Sequence, residues 1–427
     1  MDRRGSRSHS RDNARGIRRR EFLKSAVAIG GASALAACMG RSDDSIPRGG
    51  TSKLPERQHA WNDYLRHDDH GNPLNPRHHV LVFLDYSGDV PSEEDRDSVE
   101  ESLSDLEEAF AWGSDGLLFT VGYSPYYFER FDADTPTSIE LPKPEPLADF
   151  ESPDPDKYDA VLHLASDHAT AVLSAEEALL GEVDEANGVE VSPLDGIFER
   201  NERRTGFVGE GLPAQNQDVD GIPDSEPVDE DAPMYMGFKS GFLKNQATED
   251  RVTVDEGGFA GGTTQHVSRL RLRLEQWYEQ DSRYQRVGKM FCPAHAQEGR
   301  VEGTGESLGD SSRMEDCGDA VESARQNGMV GHSQKMVSAR RDGSPVMIRR
   351  DFDSTDGGEA GLHFVALQES ISDFVSTRKA MNGTRVSRSS PVGTKTNNGI
   401  LQYISVERRG NYLVPPRSLR ALPTPNP

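Results

Sequence analysis

Residues Gly331–Phe352 read GHSQKMVSARRDGSPVMIRRDF. The stretch opens on a single imidazole, His332, passes a polar turn at Arg341-Asp342-Gly343, and closes on the short apolar run Pro345 to Ile348, which delivers Arg349 and Arg350. The residues alone leave His332 open between packing, the commoner fate of a lone histidine, and metal ligation.

The pattern of a small residue, a His, a polar turn and a hydrophobic run ending in Arg resembles the haem segment of the dye-decolorizing (Dyp-type) peroxidase family. On that resemblance His332 falls on the axial iron ligand and Arg349, seventeen positions on, falls on the distal arginine. Arg350 falls to a haem propionate or to a structural partner. Further blocks follow in the family's order. Met236–Gly241 (MGFKSG) resembles the GFKDG distal loop, with Gly237, Phe238 and Gly241 against the cofactor. Gly261–Trp277 resembles the strand and helix after that loop, Gly361–Gly383 a late strand and helix, and Asn411–Pro416 the closing strand. The resemblance implies an α+β fold of two ferredoxin-like halves, sheets face to face, forming a dye-decolorizing-peroxidase-like domain (a dimeric α+β barrel). It also implies haem b in the second half, with hydrogen peroxide and a small organic reductant as substrates.

One catalytic position departs from the pattern. A haem peroxidase needs a basic axial ligand, a base that moves a proton between the peroxide oxygens, and a cation for the departing one. The family's base is the Asp of its loop, and Ser240 stands there in this chain. A hydroxyl that titrates far above neutrality is a poor base; it can donate or relay through water but cannot replace a carboxylate. Three outcomes stay open: Arg349 suffices, Glu249 or Asp250 reaches in, or the chain binds haem with weak or no peroxidase activity. Glu369, by its place between the late strand and helix, is the expected carboxylate partner of the axial imidazole.

Outward from this core, the amino terminus reads as an address. Arg19-Arg20-Glu21-Phe22-Leu23-Lys24 has the twin-arginine form, and the apolar stretch 26–37 is too short to span a membrane. Leu35-Ala36-Ala37-Cys38 looks like a lipobox, so Cys38 is expected to carry a lipid anchor on the outer face of the membrane, an uncleaved leader being the alternative. Residues 39–76 are charged and Pro/Gly-bearing and read as a tether. The expected division is 1–38 leader, 39–76 tether, 77–200 first half and 201–427 haem-binding second half.

The 72 acidic against 48 basic residues leave a net charge of −24, a pI near 4.9 and a mean hydropathy of −0.70. Such a field repels nucleic acid and anionic lipid, and it keeps a surface hydrated in brine, as in a haloarchaeal-like, salt-adapted source. A homo-oligomer is compatible with the sequence. Cys292 and Cys317 form either a disulfide or two buried thiols, and the absence of a CxxC pair argues against zinc. Gly-rich Arg203–Gly211 lacks the strand-to-helix context of a phosphate loop. His266 and His363 sit in apolar strand contexts as packing residues, and His78, His79, His163 and His168 show no ligand spacing. Three classes remain: an exported haem peroxidase, a haem- or porphyrin-binding lipoprotein, and a structural descendant of the fold without haem.

Overall fold

The computed structural model describes residues 45–131 and 139–427. The twin-arginine motif, the apolar stretch and Cys38 lie outside the described residues. No helix among the described residues is long and apolar enough to cross a membrane.

The first half runs β1 (His78–Tyr86), α1 (Glu93–Ala109), β2 (Leu118–Tyr123), β3 (Ala160–Ser166), α2 (Ala169–Leu179) and β4 (Phe198–Phe207). Its strands lie in the order β4-β1-β3-β2, the ferredoxin-like arrangement. β1 is apolar at every position from Val80 to Leu84 because both of its faces are covered. Val80, Val82 and Leu84 join the core beneath the helices, while Leu81 and Phe83 turn to the other side of the sheet. α1 starts at Ser92, whose hydroxyl accepts from Asp95 N while the Asp95 carboxylate accepts from Ser92 N. The buried spacing Val99, Leu103, Leu106 then lays one apolar face on the sheet.

The second half repeats the order with β5 (Thr263–Leu272), the interrupted strand β6 (Ile348–Arg349) and β7 (Phe352–Ser354), β8 (Gly361–Gln368), α3 (Ile371–Asn382) and β9 (Ile404–Val414). Its sheet is β7-β8-β5-β9, and β6 pairs with β8. The two sheets join at both edges, through Asp353 opposite Phe207 and Leu413 opposite Tyr123, which closes a barrel. Inside it pack Leu81, Phe83, Val161, Val267, Phe352, Val365 and Tyr412, contributed by both halves.

Three boundaries differ from the sequence reading. Within 45–76 the chain is packed: Trp61 and Leu65 are buried, and the Gln58 amide bridges Val121 N and Pro415 O. A few apolar anchors in a polar segment are enough to dock it, and low mean hydropathy hides them. The strand Phe198–Phe207 crosses the division expected at 200 and takes in the first residues of the Gly-rich Arg203–Gly211 stretch. Its charges are paired, Arg203 with Glu176 and Arg204 with Asp156, so a charged sequence still forms an edge strand. β5 also extends to Leu272 instead of turning helical at Leu270, since ladders on both sides hold it. The aromatic block Tyr123–Phe128 anchors the carboxyl tail, with Tyr127 OH donating to Pro423 O at 2.9 Å.

Candidate functional site

Between β4 of the first half and β5 of the second, and again from 273 to 347, the chain forms loops and short helices instead of one long helix. Beneath them a cavity of about 260 Å³ opens on the helix side of the second sheet. That is roughly twenty times the ~10–15 Å³ needed to admit one water. Its floor follows the strand alternation: Ser268, Leu270 and Leu272 from β5, Leu362 and Phe364 from β8, and Ile404 and Val406 from β9. Its roof includes Phe374, Thr377, Arg378 and Met381, one face of α3 at helical spacing.

His332 lies in this cavity, at the start of the short helix His332–Met336. The position of that helix is set by backbone contacts that no larger residue allows. A Cβ on Gly331 would overlap the Phe291 carbonyl, and Gly399, in the left-handed region at φ 64°, would bring a Cβ within 3.0 Å of His332 Cα. Gln334 N donates to Phe291 O at 3.3 Å and Gln334 Nε2 donates to Cys317 O at 2.8 Å. Cys292 and Cys317 are joined as a disulfide, so the covalent link and the histidine helix share one frame. His295 touches both sulfurs, but with the thiols oxidised this group offers a metal only one imidazole.

Burial, with the charges of Lys335, Arg349 and Arg378, pushes the His332 imidazolium down to about 3, so the ring is neutral at physiological pH. Its Nδ1 is enclosed and has no hydrogen-bond partner. Glu369 does not supply one: it is exposed and faces Arg341 at 3.7 Å. The nearest buried charged group in sequence is Lys335, which donates to Met381 O at 2.6 Å and Asn398 Oδ1 at 2.7 Å.

Arg349 also lines the cavity. Its backbone is clamped by Gln246, whose Oε1 accepts from Arg349 N at 3.0 Å and whose Nε2 donates to Arg349 O at 3.2 Å. Ser240, Phe238 and Gly241 of the glycine-rich loop line the same space, and Gly237 does not. Arg350 points the other way, as strand alternation requires. It is buried 5.2 Å from the Trp61 ring centre, donates to Asn62 Oδ1 at 2.9 Å and faces Glu249 at 3.9 Å. Of its two expected roles this geometry fits the structural partner and not the propionate.

Neither acidic neighbour of the loop reaches the cavity. Glu249 is engaged with Arg350 and Asn62 N, and Asp250 is exposed beside Arg57. The carboxylates that do line it are Asp351 and Asp353. They were legible as an alternation, R-R-D-F-D over 349–353, had the strand period been carried past the second arginine. His79 and His163, without any ligand spacing in sequence, meet at 2.9 Å across the β1–β3 pair, where the His79 ring stacks on Phe352. His266 and His363 are buried packing residues, bonded to Asn411 and Asp356.

A closed barrel of two ferredoxin-like halves, with a histidine and an arginine converging under the second, has the fold of the Dyp-type peroxidases. Similar solved structures include the dye-decolorizing protein from V. cholerae, 14% identical over 84% of this chain and 98% of that one, TM-score 0.54. A putative dyp-type peroxidase from Shewanella oneidensis is 13% identical over 81% and 94%, TM-score 0.55. DtpA from Streptomyces lividans, solved as an oxyferrous complex, is 18% identical over 87% and 95%, TM-score 0.57. At these identities the likeness is one of fold. The chain belongs to DUF7405, a family of unknown function, whose model matches residues 76–416. No curated protein matches it.

Proposed function

We propose that this chain is a haem-dependent peroxidase that reduces hydrogen peroxide at the expense of a small organic donor. The observation that carries the reading is that His332, neutral and with only Nδ1 enclosed, and Arg349 face one cavity walled by apolar and sulfur-bearing side chains. Similar folds solved with haem support it.

The residues present fit the group. A neutral imidazole is the ligating form, the apolar walls suit a porphyrin face, and Arg340, half-buried at the cavity edge, suits a propionate. Haem b, when bound, supplies the redox chemistry of peroxide reduction. His332 would hold the iron through Nε2, because Nδ1 is enclosed. Arg349 presents its guanidinium to negative charge developing on the departing oxygen. Phe238 and Phe374 exclude water from the walls.

One observation favours a second reading, a haem- or porphyrin-binding protein with weak turnover. The orphaned Nδ1 lacks the carboxylate that makes a ligating imidazole more basic, so His332 would push less electron density onto a bound iron. Six methionines, Met234, Met236, Met290, Met336, Met347 and Met381, also line the cavity, and thioethers are oxidised by peroxide. Twin-arginine export and lipid anchoring at Cys38 are part of the proposal. They rest on the leader sequence and are supported by the disulfide, which belongs to an oxidising compartment.

A visible spectrum of purified protein tests the reading. A Soret band lost in His332→Ala is expected, and a band unchanged in that variant removes the assignment. Peroxide-driven dye oxidation then separates the two readings. In intact cells, Arg19→Lys with Arg20→Lys is expected to retain the protein inside.

A further inference from the structure

The cavity holds a carboxylate that the loop motif does not predict. Arg349, Asp351 and Asp353 alternate along β6–β7 and line the cavity, while Arg350 and Phe352 face the barrel. Asp353 is committed: its Oδ2 accepts from Tyr235 N at 2.6 Å, latching the chain just ahead of the Gly237–Gly241 loop. Asp351 is different. It is only 9% exposed, yet beyond its own backbone N–H and the nearby charge of Arg349 its carboxylate has no hydrogen bond to another residue and no ion pair within 4.0 Å among the described residues. The Arg349 guanidinium likewise has no such partner among them. Buried polar groups are normally satisfied, and an unpaired buried charge is costly, so two opposite charges with unused capacity at one cavity point to a ligand that engages both.

We infer that Asp351 is the acid–base group of this site, performing from the strand what Ser240 cannot perform from the loop; the inference rests on the haem peroxidase reading. With hydrogen peroxide in the cavity, the Asp351 carboxylate takes the proton from one peroxide oxygen and returns it to the other. The O–O bond breaks and the doubly protonated oxygen leaves as water, with Arg349 donating to it as charge develops. The remaining oxygen takes two protons from solvent and becomes the second water. The two electrons are supplied by the organic donor.

Burial raises the Asp351 carboxyl above the usual range and Arg349 draws it back. The charged or titratable groups facing the cavity from other elements are Lys239, His332, Arg340, Arg378 and Arg409, with Asp353 on the same strand. A base must be ionised, so the reaction is expected to gain rate with rising pH through a carboxyl that titrates above the ordinary value.

Asp351→Asn keeps the shape and removes the base. Haem-loaded Asp351→Asn is expected to keep its Soret band, to react with peroxide ~100-fold or more slowly, and to lose the acid limb of the pH profile. It is also expected to bind cyanide more slowly, a readout without turnover, because hydrogen cyanide must give up its proton to bind. Ser240→Asp added to Asp351→Asn is expected to recover rate by returning a carboxylate to the cavity. An Asp351→Asn protein with its Soret band intact and unchanged peroxide and cyanide kinetics overturns the inference and leaves the haem reading standing. Wild-type protein that takes up no haem overturns both. Should Asp351→Asn lose its haem, Asp351→Glu decides: a shifted acid limb upholds the assignment, and an unshifted one overturns it.

Discussion

The two halves share one strand order and differ in what covers their sheets. In the first, α1 and α2 lie directly on the strands, and Val99, Leu103, Leu106, Ala171, Val172 and Ala175 fill the contact. In the second, the connection that should be the first helix is the segment 273–347, folded as short turns of helix and stapled by Cys292–Cys317. It arches over the sheet instead of lying on it. The same strand alternation that feeds a dry core in one half therefore projects Arg349, Asp351 and Asp353 into a cavity in the other. The cavity comes from the element the second half lacks.

The sharpest way to break this comparison is to remove one imidazole from each half. His332→Ala is expected to abolish haem binding entirely, whereas His163→Ala, in β3, should leave the Soret band in place and only lower stability. Absorption spectra of both variants check it, and equal spectral effects would erase the distinction between a packing and a binding half.

Packing offers the next contrast. Leu106→Ala, on the buried face of α1, should cost about 2–5 kcal/mol because it opens a void in a filled core. Met336→Ala should cost less than about 1 kcal/mol, since it merely enlarges space that already exists. Denaturant midpoints at constant slope would measure the pair.

Cys317→Ser removes the staple. A crosslink over a sequence separation of 25 contributes ~3 kcal/mol, and its loss is expected to fall on the second half. Because Cys317 O receives Gln334 Nε2, haem retention should weaken along with stability. Haem-dissociation rates with and without a reductant would show it.

The smallest expected effect separates the two acids. Burial pushes the Asp353 carboxyl well above its usual range, so the folded state holds its proton more tightly than the unfolded chain does. The stabilisation is complete below the unfolded value near 3.8 and is lost as pH rises through the folded one. Asp353→Asn, a permanently neutral acceptor, should match wild type in acid and gain on it as pH rises. Melting temperatures across pH would reveal the crossover, and a parallel pair of curves would mean that Asp353 is ionised in the folded state.

How much was legible follows from locality. The apolar runs 79–84, 117–122, 160–165 and 361–368 and the helical spacing over 95–112, 169–180 and 371–381 are readable in the sequence and fall within a few residues of β1, β2, β3, β8, α1, α2 and α3, because each buries a regular face. β4 escaped because its charges are neutralised by partners distant in sequence, such as Asp156 and Glu176. Trp61 escaped because one anchor in a polar segment leaves no period.

By itself the sequence supplied the element order of a ferredoxin-like half, and through its resemblance to the Dyp-type family it supplied the fold class and the candidate pair His332 and Arg349. These follow from residue order, and residue order survives without coordinates. Only the tertiary structure decided which side each arginine faces, that Glu369 and Glu249 are engaged elsewhere, and that Asp351 stands unpaired in the cavity. Those outcomes depend on strand pairing and on where a long irregular connection settles. Alternation shows which residues share a face, but which face meets the cavity and which groups find partners are fixed by contacts between residues far apart in the chain.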